Sequence, residues 1–100
     1  GPVLVTKDEL TEPNKLSVKL WVNEAQNHDL STADMDRHIP ELLAEVTNVL
    51  PLEPGDVVST GTPAGVGLSK KPPRWLQPGD ECVVRIEGLG ELRNSVILEP

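Results

Sequence analysis

The feature that most limits the fold is a change of apolar period part-way along the chain. Leu16, Val18, Leu20 and Val22 alternate with Ser17, Lys19 and Trp21, which makes one face apolar and the other polar. That period of two belongs to a half-buried β-strand. Further on, Ile39, Leu42, Leu43, Val46, Val49 and Leu50 recur three and four residues apart. This is one stripe of an amphipathic α-helix over 39–50. Pro40 suits the first turn, where its missing N–H removes nothing. Pro51 and the turn Glu53-Pro54-Gly55-Asp56 end the helix. The two periods together require a sheet and a helix.

The rest of the chain adds strands and no second helix. Val3-Leu4-Val5-Thr6 is short and β-prone, and Glu12-Pro13-Asn14 reads as a turn. Residues 23–37 are polar and without period, a loop with room for a short second strand returning from Val22. Asp56 to Thr60 reads as a strand entering the glycine-rich loop Gly61-Thr62-Pro63-Ala64-Gly65-Val66-Gly67. A connector with Lys70, Lys71, Pro72, Pro73 and Arg74 leads to a second Pro-Gly-Asp turn at 78–80. Strands are expected at Cys82 to Ile86 and Leu92 to Leu98, around a Gly88-Leu89-Gly90 turn. The expected class is α+β, mainly β, as a single domain over 1–100 with the helix packed on the sheet.

Composition removes several functions. The chain carries 9 Lys+Arg against 16 Asp+Glu, a net charge of −7, which disfavours nucleic acid and anionic membrane surfaces as partners. With 2 Trp and neither Tyr nor Phe, it has no platform of rings on which bases could stack. Cys82 is the only cysteine, so an internal disulfide and a cysteine-based zinc site are both excluded. One thiol fits a reducing compartment, and the expected location is cytoplasmic. No apolar run reaches the length of a membrane span. The start Gly1-Pro2 without methionine reads as a processed or tagged beginning, or as part of something longer.

Four features could carry chemistry. His28, Asp29, Asp34, Asp36 and His38 offer metal-binding groups, but their spacing matches no calcium loop, and a solvated acidic loop is the plainer reading. In the loop 61–67, glycines allow close backbone approach and successive N–H groups can face an anion. It lacks the Gly-Lys-Ser/Thr of a nucleotide loop, and a simple turn is the alternative. Lys70, Lys71 and Arg74 form the one basic cluster and could attract a carboxylate substrate; a solvated connector is the alternative. Cys82 shares a strand face with Val84 and Ile86 and reads as a small core residue.

The run from Leu52 to Gly67, LEPGDVVSTGTPAGVG, resembles the hallmark of the fumarylacetoacetate hydrolase family. Gly1 to Thr6, Leu20-Trp21-Val22-Asn23, Leu76 to Asp80 and Ile86 to Asn94 resemble its flanking strands and turns, so the likeness spans the whole chain. The resemblance implies a mixed β-roll and a divalent cation, magnesium, calcium or manganese. It further implies cleavage, decarboxylation or isomerisation of small 2-oxo or 1,3-dioxo acids, commonly by dimers. By the same match Thr62 donates a hydrogen bond to substrate, with Gly61, Pro63 and Gly65 forming the loop around it. The family's Glu-x-Glu and Asp metal ligands lie upstream of the segment that resembles Gly1-Pro2-Val3. No metal ligand and no catalytic residue is therefore assigned here. Asn23-Glu24 stands where the family has Asn-Gly, Leu30 stands for a glycine and His28 for a Gln.

Two readings follow. The first is a truncated domain that lacks the metal-ligand segment, is non-catalytic alone, and self-associates to cover apolar strand faces and edges. The second is the C-terminal part of a divalent-cation-dependent hydrolase, decarboxylase or isomerase. The expected partner is accordingly either a second copy or the missing N-terminal half. For the isolated residues the first reading is preferred.

Overall fold

The computed structural model describes residues 1–99. Its centre is one antiparallel sheet of four strands, β1 (Ser17–Val22), β2 (Ala25–Ser31), β3 (Glu81–Ile86) and β4 (Gly90–Ser95), in the order β2-β1-β3-β4. One helix, α1 (Ile39–Thr47), and three short 3-10 turns complete the regular structure of the described residues. The chain is thus mainly β with one helix.

The alternation in β1 has its expected result. Leu20 pairs with Val84 and Val22 with Cys82, and Val84 pairs in turn with Leu92. One face of the sheet is therefore apolar. On the other face Trp21 lies opposite Val83 and Lys19 opposite Arg85, and Val83 opposite Arg93. Among the described residues Val83 is one of two apolar residues that are buried, the other being Leu16 just before β1. The Arg85 guanidinium lies 5.6 Å from the Trp21 ring centre. It also binds Glu91 at 2.6 Å, and Arg93 joins Glu91 at 3.0 Å and Glu81 beside it. Hydrogen bonds from Arg85 and then Arg93 hold the Glu91 carboxyl below its usual range. Each exposed pair stabilises little by itself, but the lattice of charges roofs Val83 and leaves that face water-compatible.

Residues 25–31 form a full seven-residue strand, longer than the short return expected from their polar sequence. The turn explains it. Val22 pairs with Ala25, so only Asn23 and Glu24 turn the chain, and Asn23 carries the positive φ of 56° while Glu24 does not. The amide of Asn23 donates to Asp80 at 2.9 Å and its carbonyl oxygen accepts from the Glu81 N–H at 3.0 Å. A bulge between Leu20 and Trp21 absorbs the register change this tight return creates. Backbone pairing to β1 then carries β2 without an apolar alternation of its own.

Two expected strands do not form. Val3–Thr6 and 56–60 have no ladder partner among the described residues. Strand preference is realised only against a neighbouring edge, and these segments have none. α1 ends at Thr47 rather than at 50, where the last turn tightens: the Val49 N–H bonds the Val46 carbonyl three residues back. No residue of α1 is buried, and Leu43, Val49 and Leu50 are exposed, so the helix is not seated on the sheet as expected. The last strand stops at Ser95, and Ile97 and Leu98 lie exposed beyond it.

Candidate functional site

Both Pro-Gly-Asp segments fold into the same turn. The Asp56 carboxylate accepts from the Glu53 N–H at 2.8 Å, and Asp80 accepts from the Gln77 N–H at 2.9 Å. The Asp80 carboxyl is held below its usual range, first by that Gln77 amide, then by Asn23, with Arg74 adding a nearby positive charge. The first turn releases the chain into loop 61–67 and the second returns it into β3.

The loop is anchored at its far end. Gly65 has φ +92° and lies against β2, where an added Cβ would stand 3.2 Å from His28 Cε1. At Gly67 an added Cβ would overlap the backbone carbonyl oxygen of Arg74. That approach lets the Arg74 N–H donate to the Gly67 carbonyl at 2.9 Å, with the Lys70 N–H on the same oxygen at 3.3 Å. Lys70 Nζ donates to the Asn27 side-chain oxygen, tying the connector to β2. The loop is a seated structure, not a free turn.

Between loop and sheet lies a concavity of about 390 Å³. Leu20, Val22 and Cys82 line it from the apolar sheet face, Leu68, Trp75 and Leu76 from the connector. Its polar lining is Asn27, His28, Lys70 and Arg74, with no carboxylate, in a chain of net charge −7. Cys82 is half-buried in this wall rather than a core residue. Of the residues expected to meet substrate, Gly65 lines the concavity, while Gly61, Thr62 and Pro63 are exposed and stand outside its lining. Lys70 and Arg74 line it and Lys71 does not. Asn27 was legible only as a member of a polar loop and His28 only as a possible metal-binding group; their place here depends on β2 forming.

Among the described residues, no three His, Cys, Asp or Glu side chains converge where a metal ion could be held. The acidic run around His28 and His38 is spread along β2, a 3-10 turn and the start of α1. The donors present do not fit a resident divalent cation. No helix among these residues is long and apolar enough to cross a membrane.

Comparison with known proteins matches this architecture. An uncharacterised protein of Staphylococcus aureus is 46% identical over 96 residues, which is 96% of this chain and 32% of that protein. The chain thus spans about a third of the length of the curated relatives it matches. A fumarylacetoacetate hydrolase from Exiguobacterium antarcticum superposes with TM-score 0.92 at 45% identity, over 99% of this chain and 35% of that one. Maleylpyruvate hydrolase from Sphingobium sp. SYK-6, in complex with manganese(II) and pyruvate, gives 0.85 at 36%, over 97% and 34%. A 5-carboxymethyl-2-hydroxymuconate delta-isomerase from Mycobacterium smegmatis gives 0.82 at 32%, over 100% and 36%. The family model described as fumarylacetoacetate (FAA) hydrolase C-terminal matches residues 1–97, and the chain belongs to that family.

Proposed function

We propose that this domain supplies the substrate-side wall of a divalent-cation-dependent enzyme acting on small 2-oxo acids, and is without catalytic activity by itself. One observation carries the reading: the glycine-rich loop is built and anchored, while the donors for the cation do not converge among the described residues. Relatives that superpose along the whole chain are a hydrolase and an isomerase, and one of them binds manganese and pyruvate. In this reading the cation's ligands come from residues outside these 100, which also close the β-roll.

Within the wall, Thr62 donates its hydroxyl hydrogen to the bound acid. Gly61, Pro63 and Gly65 keep the loop free of side chains that would hold the substrate away. Lys70 and Arg74 supply the positive field that attracts a carboxylate to this edge of an acidic protein.

The test is an exchange. The third of the Sphingobium maleylpyruvate hydrolase that matches this chain is replaced by residues 1–97, and metal-dependent turnover is measured. Turnover that survives the exchange and falls at least tenfold in Thr62→Ala, with manganese retained, supports the reading. The isolated chain is assayed beside it with oxaloacetate and acylpyruvates. Turnover by the isolated chain above a magnesium-only blank, abolished by Thr62→Ala, would refute its inactivity.

A further inference from the structure

Regular alternation along β2 would send Asn27 and His28 to opposite faces of the sheet. They share one. Leu20 pairs with His28 and the next residue, Trp21, pairs with Gln26, so Asn27 is the extra residue of the bulge. Gln26 and Asp29 on either side are exposed, whereas Asn27 and His28 are both half-buried and both line the concavity under loop 61–67. Re-aiming a side chain in this way is what a bulge does, and it leaves one ladder position unpaired.

Each member of the pair meets a different part of the segment above it. A Cβ added to Gly65 would stand 3.2 Å from His28 Cε1 and 3.8 Å from its Nδ1, so the ring lies directly under the loop. The Asn27 side-chain oxygen accepts from Lys70 Nζ, further along the same segment. The backbone of this stretch bonds only to itself among the described residues: the Ser69 N–H donates to Val66, and the Lys70 and Arg74 N–H groups donate to Gly67. Gly61 to Val66 are exposed. The height of the loop over β2 is therefore set by side chains of β2, not by a ladder.

We infer that the bulged pair Asn27–His28 positions the substrate loop: His28 sets its stand-off from the sheet at Gly65, Asn27 fixes the connector behind it, and Thr62 is thereby presented to the bound acid at one distance. This role rests on the reading of Thr62 as the donor to that acid. Both are positioning residues, because Thr62 stands outside the concavity that they line and their effect reaches the acid through the loop. A misplacement of about 1 Å at a group that orients substrate costs up to about a hundredfold in rate, so a contact at Gly65 governs what Thr62 can do.

The experiment is a cycle of substitutions in the Sphingobium maleylpyruvate hydrolase that carries residues 1–97 of this chain. His28→Ala is expected to lower kcat/KM at least fivefold when Thr62 is present, and less than twofold once Thr62→Ala has been made. Deletion of Asn27, which returns β2 to a regular ladder, is expected to do the same. Should the deletion not fold, Asn27→Ala replaces it, keeping the bulge and losing the tie to Lys70. Equal losses in both Thr62 backgrounds are the mark of a general loss of stability or of direct contact with the acid, and they overturn the inference. No loss in either background overturns it too.

A second measurement uses this chain alone and needs neither metal nor turnover. Backbone order parameters from NMR relaxation at Gly65 and Val66 are expected to fall from the rigid range, about 0.85, to below about 0.6 in His28→Ala. Lys70 and Lys71 should show the same fall when Asn27 is deleted or replaced by alanine, while Val83 and Val84 in β3 stay as they are. A loop already mobile in the parent, or equally rigid in the variants, overturns the inference. If Thr62→Ala leaves turnover unchanged while the order parameters fall as expected, the proposed role of Thr62 is lost and the hold of the pair on the loop stands, so the two readings fail separately.

Discussion

Gly67→Ala tests whether the glycine-rich loop is held in place by contact or merely drawn near. Gly67 does not have a positive φ, so alanine costs nothing in backbone preference there. The whole effect is steric: the new methyl overlaps the Arg74 carbonyl oxygen, which is backbone and cannot swing aside. The connector must move away, and with it goes the 2.9 Å hydrogen bond from the Arg74 N–H to the Gly67 carbonyl. Overpacking costs about 1–3 kcal/mol, and losing the hydrogen bond about 0.5–1.5 kcal/mol. Local opening of the loop should therefore become easier by roughly 2–3 kcal/mol, which multiplies hydrogen exchange at the Arg74 amide by about 30 to 150.

The assay is hydrogen exchange at residues 66–76, followed by NMR or mass spectrometry, on parent and variant. Gly61→Ala is the control, because it has the opposite character. Its φ of +103° strains an alanine, but nothing lies within 4 Å of the added Cβ. That substitution costs about 1–2 kcal/mol at its own position and should leave Arg74 exchange within threefold of the parent. If Gly67→Ala also left Arg74 exchange within threefold, the seating of the loop on the connector would be wrong.

Three further outcomes follow from the same contacts. Gly65→Ala should loosen the loop from β2 by about 1–2 kcal/mol through its φ of +92° alone; the His28 contact adds to this, and the additional part should vanish in the His28→Ala background, read by exchange at Asn27 and His28. Asn23→Ala should destabilise the β1–β2 hairpin by about 1–3 kcal/mol, since it removes both bonds to Asp80 and Glu81; Asn23→Gly keeps the positive φ and should cost less, by urea midpoint. Asp80 has a folded pKa below its unfolded value, so its contribution is present above about pH 4 and is lost as pH falls through the folded value. Asp80→Asn should then flatten the acid limb of stability below about pH 4, and an unchanged limb would remove Asp80 from the account.

What could be read from the residues divides along physical lines. β1 was legible because Leu16 to Val22 carry their own alternation, and β3 because Cys82 to Ile86 follow a turn that Asp80 closes locally. The helix was legible in its stripe and its Pro40 start, but not in its end, where the Val46 carbonyl accepts the Val49 amide three residues on. β2 was legible as a short return from Val22 but not in its full length, because Gln26, Asn27, His28 and Asp29 become a strand through pairing with β1, a cause that lies outside their own segment. With the extent of β2 unread, the seat of Gly65 on His28 and the tie of Lys70 to Asn27 could not be read either. The loop itself could be, since its glycines are written in the chain.

The two failures, Val3–Thr6 and 56–60, point the other way. Their residues have strand preference, and nothing in the described part of the molecule satisfies it. Val57 is 92% exposed and Leu4 88%, so neither segment gains burial in place of a ladder. The sheet resolves its charged face internally, through Arg85, Glu91, Arg93 and Glu81, and its apolar face is half-covered by the loop and connector, whose Leu68, Trp75 and Leu76 stay exposed. The open apolar surface therefore lies off the sheet, on the two segments that found no ladder partner and on the connector.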